Sequence, residues 1–172
     1  MKIDDDMVVN SYPLLNYLDN LISTDRVQEN TFYCKPITGY PIRDRSSKYY
    51  VSRNDYPLDS FHKYCQGMGY IFSGSMASQL SKQSLTTKLL PMEDLYVGFL
   101  GLKLGFKFID VWEYFYYDWY QQTEVDNGFK IYKIDHFDNK FFLFVDKRDI
   151  IPIWNILVKR FYEMKFNYSF LN

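Results

Sequence analysis

The sequence has little of what several function classes require. It carries no block of basic residues: 20 Lys and Arg against 21 Asp and Glu give a formal net charge of −1. A protein that tracks a phosphate backbone shows clustered cations on one face, so nucleic-acid binding is disfavoured. No run approaches the roughly 20 apolar residues of a membrane-spanning helix. Met1-Lys2-Ile3 followed by three aspartates lacks the apolar stretch of a signal peptide, and by itself reads as the start of a cytoplasmic protein. Histidine and cysteine number two each, without ligand spacing, which excludes a zinc-site or Cys/His signature. Cys34 and Cys65 could form one bridge or remain two thiols, since a bridge also needs the two Cβ atoms within reach. Glycine is scarce, with 8 residues, and no Gly-rich nucleotide loop follows an N-terminal strand. Repeats, low-complexity tracts and linkers are absent from the sequence.

What is there is a globular composition. The 172 residues suffice for a single domain with a sizeable core. With 47% apolar and 24% charged residues, the chain has the balance of a folded rather than a disordered segment. Aromatics reach 20%, with 17 Tyr and 15 Phe. Tyr buries a ring and keeps a wet hydroxyl, which suits sugar stacking; burial in a core is the commoner fate and the preferred reading.

The pattern along the chain alternates strands and helices. Leu14, Leu15, Leu18, Leu21 and Ile22 predict a helix over 11–22 with one buried face. Short β-prone runs follow at Thr31–Cys34, Lys48–Ser52 and Gly69–Ser73, between Pro- and Gly-bearing loops. Helices are expected over Ser75–Lys82 and Met92–Leu104. Val111–Tyr120 shows no clean period and is left open, with helix one option. Two aromatic strands, Phe129–Ile134 and Lys140–Val145, are expected to pair across the polar connection Asp135–Asn139 as a hairpin. A last helix is expected from an Asp149 N-cap, with Pro152 tolerated in its first turn and Ile150, Trp154, Leu157, Phe161 and Met164 facing the sheet. Such a mixture points to the α/β class.

Few residues present chemistry. Asp4-Asp5-Asp6 lies between Ile3 and Met7-Val8-Val9, at the end of a β-prone run. Adjacent carboxylates repel, so they are stable together when solvated or when holding a cation, and hard oxygen ligands suit Mg²⁺ or Mn²⁺. Taken alone, a solvated acidic start is the commoner case. Glu93-Asp94 falls where a helix begins; there a carboxylate meets the helix dipole, or serves as a general base at a cleft. Gly67-Met68-Gly69-Tyr70 precedes a β-prone stretch, where glycine permits close backbone approach. His62 and His136 are isolated.

The order of these segments is more specific than any one of them. Lys2-Ile3-Asp4-Asp5-Asp6-Met7-Val8-Val9-Asn10 resembles the metal-binding aspartate motif of the β-1,3-galactosyltransferase family. Lys48–Ser52, Tyr56-Pro57 and Tyr64–Gly74 resemble its central block, and Glu93-Asp94-Leu95-Tyr96-Val97-Gly98 its acidic motif, followed by a similar Leu102–Gly105. The resemblance spans roughly residues 1–106 and thins afterwards to Ile153-Trp154.

That resemblance implies a GT-A-type α/β fold, a mixed sheet flanked by helices, and an inverting hexosyltransferase anchored in the Golgi membrane. It implies a UDP-sugar donor, a glycan acceptor on glycoprotein or glycolipid, and Mn²⁺ or Mg²⁺ as cofactor. By the same resemblance Asp6 would ligate the metal, while Asp4 and Asp5 would contact the nucleotide or the metal's water shell. Asp94 would be the catalytic base, Glu93 would shape the acceptor pocket, and Gly67, Gly69 and Tyr70 would line the site.

Two departures from the family pattern stand out. The chain starts at the aspartate motif, so the expectation is a single catalytic domain over 1–172 without its nucleotide-binding first half, its stem or its anchor. The family's metal-binding His before the last helix has no counterpart in Phe142–Asp149, where Asp146 is the candidate substitute and His136 lies too early. These departures raise the alternative of an inactive relative that keeps sugar binding or a scaffolding role. The secretory lumen would permit glycosylation at Asn167-Tyr168-Ser169. It would also let Cys65 be bridged, with Cys34 the partner available in this chain.

Overall fold

A computed structural model describes residues 1–118, 124–126, 129–132 and 137–166. The chain divides into two compact units, the first built from Met1–Ile3 and Gln28–Trp112, the second from Asp4–Val27 and Glu113–Asn172. Each is a mixed sheet with helices, the α/β architecture expected.

In the first unit, β1 (Lys2–Ile3), β3 (Thr31–Ile37), β4 (Tyr64–Ile71) and β5 (Lys107–Asp110) form a sheet in the order β1-β4-β3-β5. β5 runs parallel to β3, while β1 and β3 run antiparallel to β4. The β3–β4 register shifts between Cys34 and Pro36, where a proline has no N–H to give the ladder. Cys34 and Cys65 are joined in a disulfide with Cα atoms 5.6 Å apart, so the two strands are covalently stapled.

Helices α2 (Gly74–Ser84) and α3 (Glu93–Lys103) complete this unit. Ser73 caps α2 by accepting a hydrogen bond from the Met76 amide. Phe32, Cys34, Tyr70, Met76, Leu80 and Leu100 make one core cluster. α3 comes close to the sheet because Gly98 and Gly101 have no side chains. A Cβ at Gly98 would lie 2.3 Å from the Tyr64 Cβ, and one at Gly101 would lie 2.6 Å from the Phe32 ring.

The expected strand at Lys48–Ser52 does not form. Tyr50 makes only an isolated bridge to Ile42. The loop is organised instead by Arg43, whose guanidinium donates to the carbonyls of Val51 (2.7 Å), Tyr56 (2.9 Å) and Leu58 (2.8 Å). Val51, Tyr56 and Phe61 then bury against Tyr64, Leu90 and Leu95 as a second cluster. β4 also begins earlier than expected, at Tyr64 rather than Gly69.

In the second unit, β2 (Met7–Val9), β6 (Phe115–Tyr117) and β9 (Phe142–Phe144) form a sheet in the order β2-β9-β6. β7 (Glu124–Asp126) and β8 (Phe129–Ile131) pair as a separate ribbon. The expected hairpin between the two aromatic strands is therefore corrected. β8 takes the preceding segment as its partner, and β9 lies antiparallel to β2 and parallel to β6. The period-2 pattern showed two strands but not their partners, because both β2 and β6 offered apolar edges from elsewhere in the chain. The open segment Val111–Tyr120 contains a 3₁₀ turn at Trp112–Tyr114 and then β6, whose three aromatic residues are all buried.

Helices α1 (Ser11–Ser23) and α4 (Ile150–Phe166) flank this sheet in sequence. α1 spans the expected residues, yet of its apolar stripe only Leu14 is buried, with Leu15 and Ile22 exposed. In α4 the buried stripe is Ile153 and Leu157, with Ile150 packed beside them; Trp154 is exposed. The side chain of Met164 falls outside the described residues. The cap is also displaced: Asp146, not Asp149, caps the 3₁₀ turn Lys147–Asp149 that leads into α4. Asp149 instead accepts the Tyr132 hydroxyl at 2.7 Å. Among the described residues, no helix is long and apolar enough to cross a membrane.

Candidate active site

The first unit gathers four of the sequence-selected residues, Gly67, Tyr70, Glu93 and Asp94, at the start of α3. Met92 occupies the N-cap without a side-chain cap bond, so the helix's first turn is left to Glu93 and Asp94. Asp94 Oδ1 accepts the Leu95 amide at 2.8 Å, and Oδ2 accepts the Gly67 amide at 3.1 Å. A Cβ at position 67 would sit 3.2 Å from Oδ2, so glycine there leaves room for the carboxylate. Gly69 is buried in β4 opposite Ile3.

Glu93 divides its two oxygens. Oε1 accepts the Tyr70 hydroxyl at 2.6 Å, and Oε2 pairs with Lys2 Nζ at 3.0 Å. Lys2 also donates to the Gly67 carbonyl at 2.6 Å and lies 5.5 Å from the centre of the Tyr70 ring. β1 puts it there: pairing with β4 sets Lys2 directly opposite Tyr70. This lysine was not singled out in the sequence. Its position beside the aspartate triplet was the one available signal, because its neighbours are 65 and more residues away.

The electrostatics of the pair are unequal. Burial pushes the Asp94 carboxyl above its ordinary value, and the Glu93 charge pushes it the same way. The amides of Leu95 and Gly67 and the Lys2 ammonium pull against that without reversing it. The neighbouring Tyr64 phenol is raised too, by burial and then by the Asp94 charge. A half-buried carboxylate raised in this way, held by two amides, is suited to taking up a proton.

The galactosyltransferase family profile matches residues 1–111. The chain belongs to the galactosyltransferase family. Beta-1,3-galactosyltransferase 1 of Mus musculus is 43% identical over 105 residues, which cover 61% of this chain and 32% of that protein. Beta-1,3-galactosyltransferase 2 of Homo sapiens is 36% identical over 110 residues, covering 60% of this chain and 24% of its own length. The match to these curated relatives thus spans about a third of their length or less.

Asp4, Asp5 and Asp6 belong to the second unit, in the turn before β2, with Asp5 exposed and the other two half-buried. Met7 and Val8 bury immediately afterwards, so the triplet is anchored by a strand rather than trailing as an acidic tail. Among the described residues, no three His, Cys, Asp or Glu side chains gather into a metal-holding group. Mg²⁺ and Mn²⁺ bind through one or two carboxylates and complete their shell with substrate phosphate and water, so the residues present fit such an ion.

The remaining candidates are occupied elsewhere. Asp146 accepts from the Arg148 amide at 3.0 Å and from its guanidinium at 3.1 Å, so its carboxylate is engaged in capping. His62 is exposed and stacks on Phe99. His136 and the sequon at Asn167 lie outside the described residues.

Proposed function

We propose that the protein is an inverting, UDP-sugar-dependent hexosyltransferase that forms β-1,3 linkages on a glycan hydroxyl of a glycoprotein or glycolipid. The observation that carries this reading is Asp94, a half-buried carboxylate raised by burial and held at the start of α3 by the Leu95 and Gly67 amides. As general base it would take the proton of the acceptor hydroxyl while that oxygen attacks the anomeric carbon, and UDP would depart from the opposite face. Glu93, fixed by Tyr70 and Lys2, would shape the acceptor side, with Gly67, Gly69 and Tyr70 lining it.

Asp6 would hold Mn²⁺ or Mg²⁺, with Asp4 and Asp5 contacting the nucleotide or the ion's water. When bound, such an ion supplies charge for the leaving diphosphate and a template for its oxygens. By family kinship the site of action is the Golgi lumen, through a membrane anchor, and both units are parts of one catalytic domain.

The test is transfer from a UDP-sugar with Mn²⁺ by the native chain, Asp94→Asn and Asp6→Asn. Metal-dependent turnover that falls about 10²–10⁴-fold in Asp94→Asn supports the reading; turnover indifferent to Asp94 overturns it. A second reading, an inactive sugar-binding or scaffolding relative, is favoured by Asp146, whose engagement with Arg148 takes it away from metal binding. Sugar binding without turnover by a folded chain would select it.

A further inference from the structure

The second unit contains an open groove of about 580 Å³ that none of the residues placed in the candidate active site lines. Pockets of this size hold small organic ligands, and this one is lined mainly by phenols, amides and guanidinium rather than by aliphatic side chains. Two features set its character. Tyr17 and Tyr114 stand 4.9 Å apart between ring centres with their planes tilted by 53°, and Tyr114 lies flat on Phe141 at 4.9 Å and 13°. Phe141 is fully buried, so the aromatic platform is backed by the core and held in place.

Along α1, Asn16 and Asn20 are spaced four residues apart and so share a helix face. Asn20 Oδ1 is taken by Arg26 at 2.5 Å, and Arg26 Nε is tied to Thr24 Oγ1 at 2.8 Å, which orders both the amide and the guanidinium. Asn139 adds a further amide.

We propose that this groove is a carbohydrate-binding site for an oligosaccharide segment. The apolar C–H face of a pyranose ring would pack on the Tyr17–Tyr114 platform, and its hydroxyls would exchange hydrogen bonds with Asn16, Asn20, Asn139 and Arg26. Amides both donate and accept, as sugar hydroxyls do, so the lining matches a polyol better than an apolar or singly charged ligand. An extended peptide would need aliphatic pockets or an open strand edge, and the groove is lined chiefly by polar and aromatic side chains. The assignment uses the second unit alone and does not depend on Asp94.

The test is titration of the full chain with an N-acetyllactosamine tetrasaccharide, followed by saturation-transfer NMR, beside a tyrosine-rich octapeptide. The chain is expected to bind the glycan in the millimolar range or tighter. Exposed Asn16→Lys, which fills the groove, should weaken binding at least tenfold, and Tyr17→Phe should keep the platform and most of the affinity. Glycan binding is read without UDP-sugar or metal, so failed catalysis and a failed groove give different results. No glycan binding by the folded native chain, binding untouched by Asn16→Lys, or binding of the peptide in preference to the glycan would each overturn the proposal.

Discussion

The two units solve the same packing problem with different materials. The first holds every glycine except Gly128 and both cysteines, and it uses them to bring backbones together. Gly98 lets α3 lie against Tyr64, Gly67 lets a backbone amide reach Asp94, and a disulfide staples β3 to β4. The second packs by aromatic bulk: Tyr116, Phe137, Phe141, Phe142 and Leu143 are buried almost completely. The family match ends at residue 111, next to the end of the first unit. Close backbone approach thus goes with the unit that carries the acidic pair, where a few tenths of an ångström decide whether a carboxylate is held. Bulk packing goes with the unit that carries the open groove.

Either unit can be perturbed on its own. Truncating Phe142 to Ala in the aromatic unit removes a fully buried ring, and should cost roughly 3–5 kcal/mol in denaturant unfolding. A loss below about 1 kcal/mol would show that the aromatic packing is not what holds that unit. Replacing both cysteines by Ala releases a staple across a separation of 31 residues and should cost about 3–4 kcal/mol by loop-closure entropy. Near-UV circular dichroism of the aromatic unit should change little in that variant. Gly98→Ala forces a Cβ to within 3.0 Å of the Tyr64 Cα, which cannot swing aside, so a loss of about 1–3 kcal/mol is expected. That variant should also lose turnover, because α3 carries Asp94.

Asp94→Asn should alter how stability depends on pH. Its folded-state acidity is shifted upward, so its ionisation opposes folding, and the contribution present at low pH is lost as pH rises through the folded value. The amide variant removes that charge but can accept from only one of the two backbone N–H groups that Asp94 holds, so its melting temperature should fall less than the native chain's between low and neutral pH, in thermal scans across that range. An equal fall in both would mean that Asp94 ionisation does not oppose folding.

Much of the first unit was legible in the sequence because its signals are local. The acidic pair marks the start of α3 and a β-prone run the start of β3, whereas β3 continues through Pro36 to Ile37 and the Ser73 cap of α2 is read only in the structure. What the sequence could not carry was partnership. Lys2 reaches Glu93 only through the β1–β4 register, and the loop around Arg43 is fixed by three carbonyls distributed over a long segment. In the second unit the aromatic strands were visible, but every neighbouring segment was equally apolar, so pairing could not be read from alternation. The α4 stripe shifted from Trp154 to Ile153 for a related reason. A bulky residue suggests a buried face, whereas the helix turned the slimmer side chain into the core. The candidate site was legible as a set of residue types; its electrostatics were not, since the rise in Asp94 depends on burial.

The most direct test of the account is the pH dependence of UDP-sugar transfer by the native chain and by Lys2→Met. Asp94 must be ionised to accept a proton, so the acid limb of the native profile should have its midpoint above 3.8, the ordinary aspartate value. Removing the Lys2 cation, which pulls Asp94 downward, should move that limb further up in pH. A limb at or below the ordinary value, or one that Lys2→Met leaves in place or lowers, would contradict the assignment of Asp94 as the base.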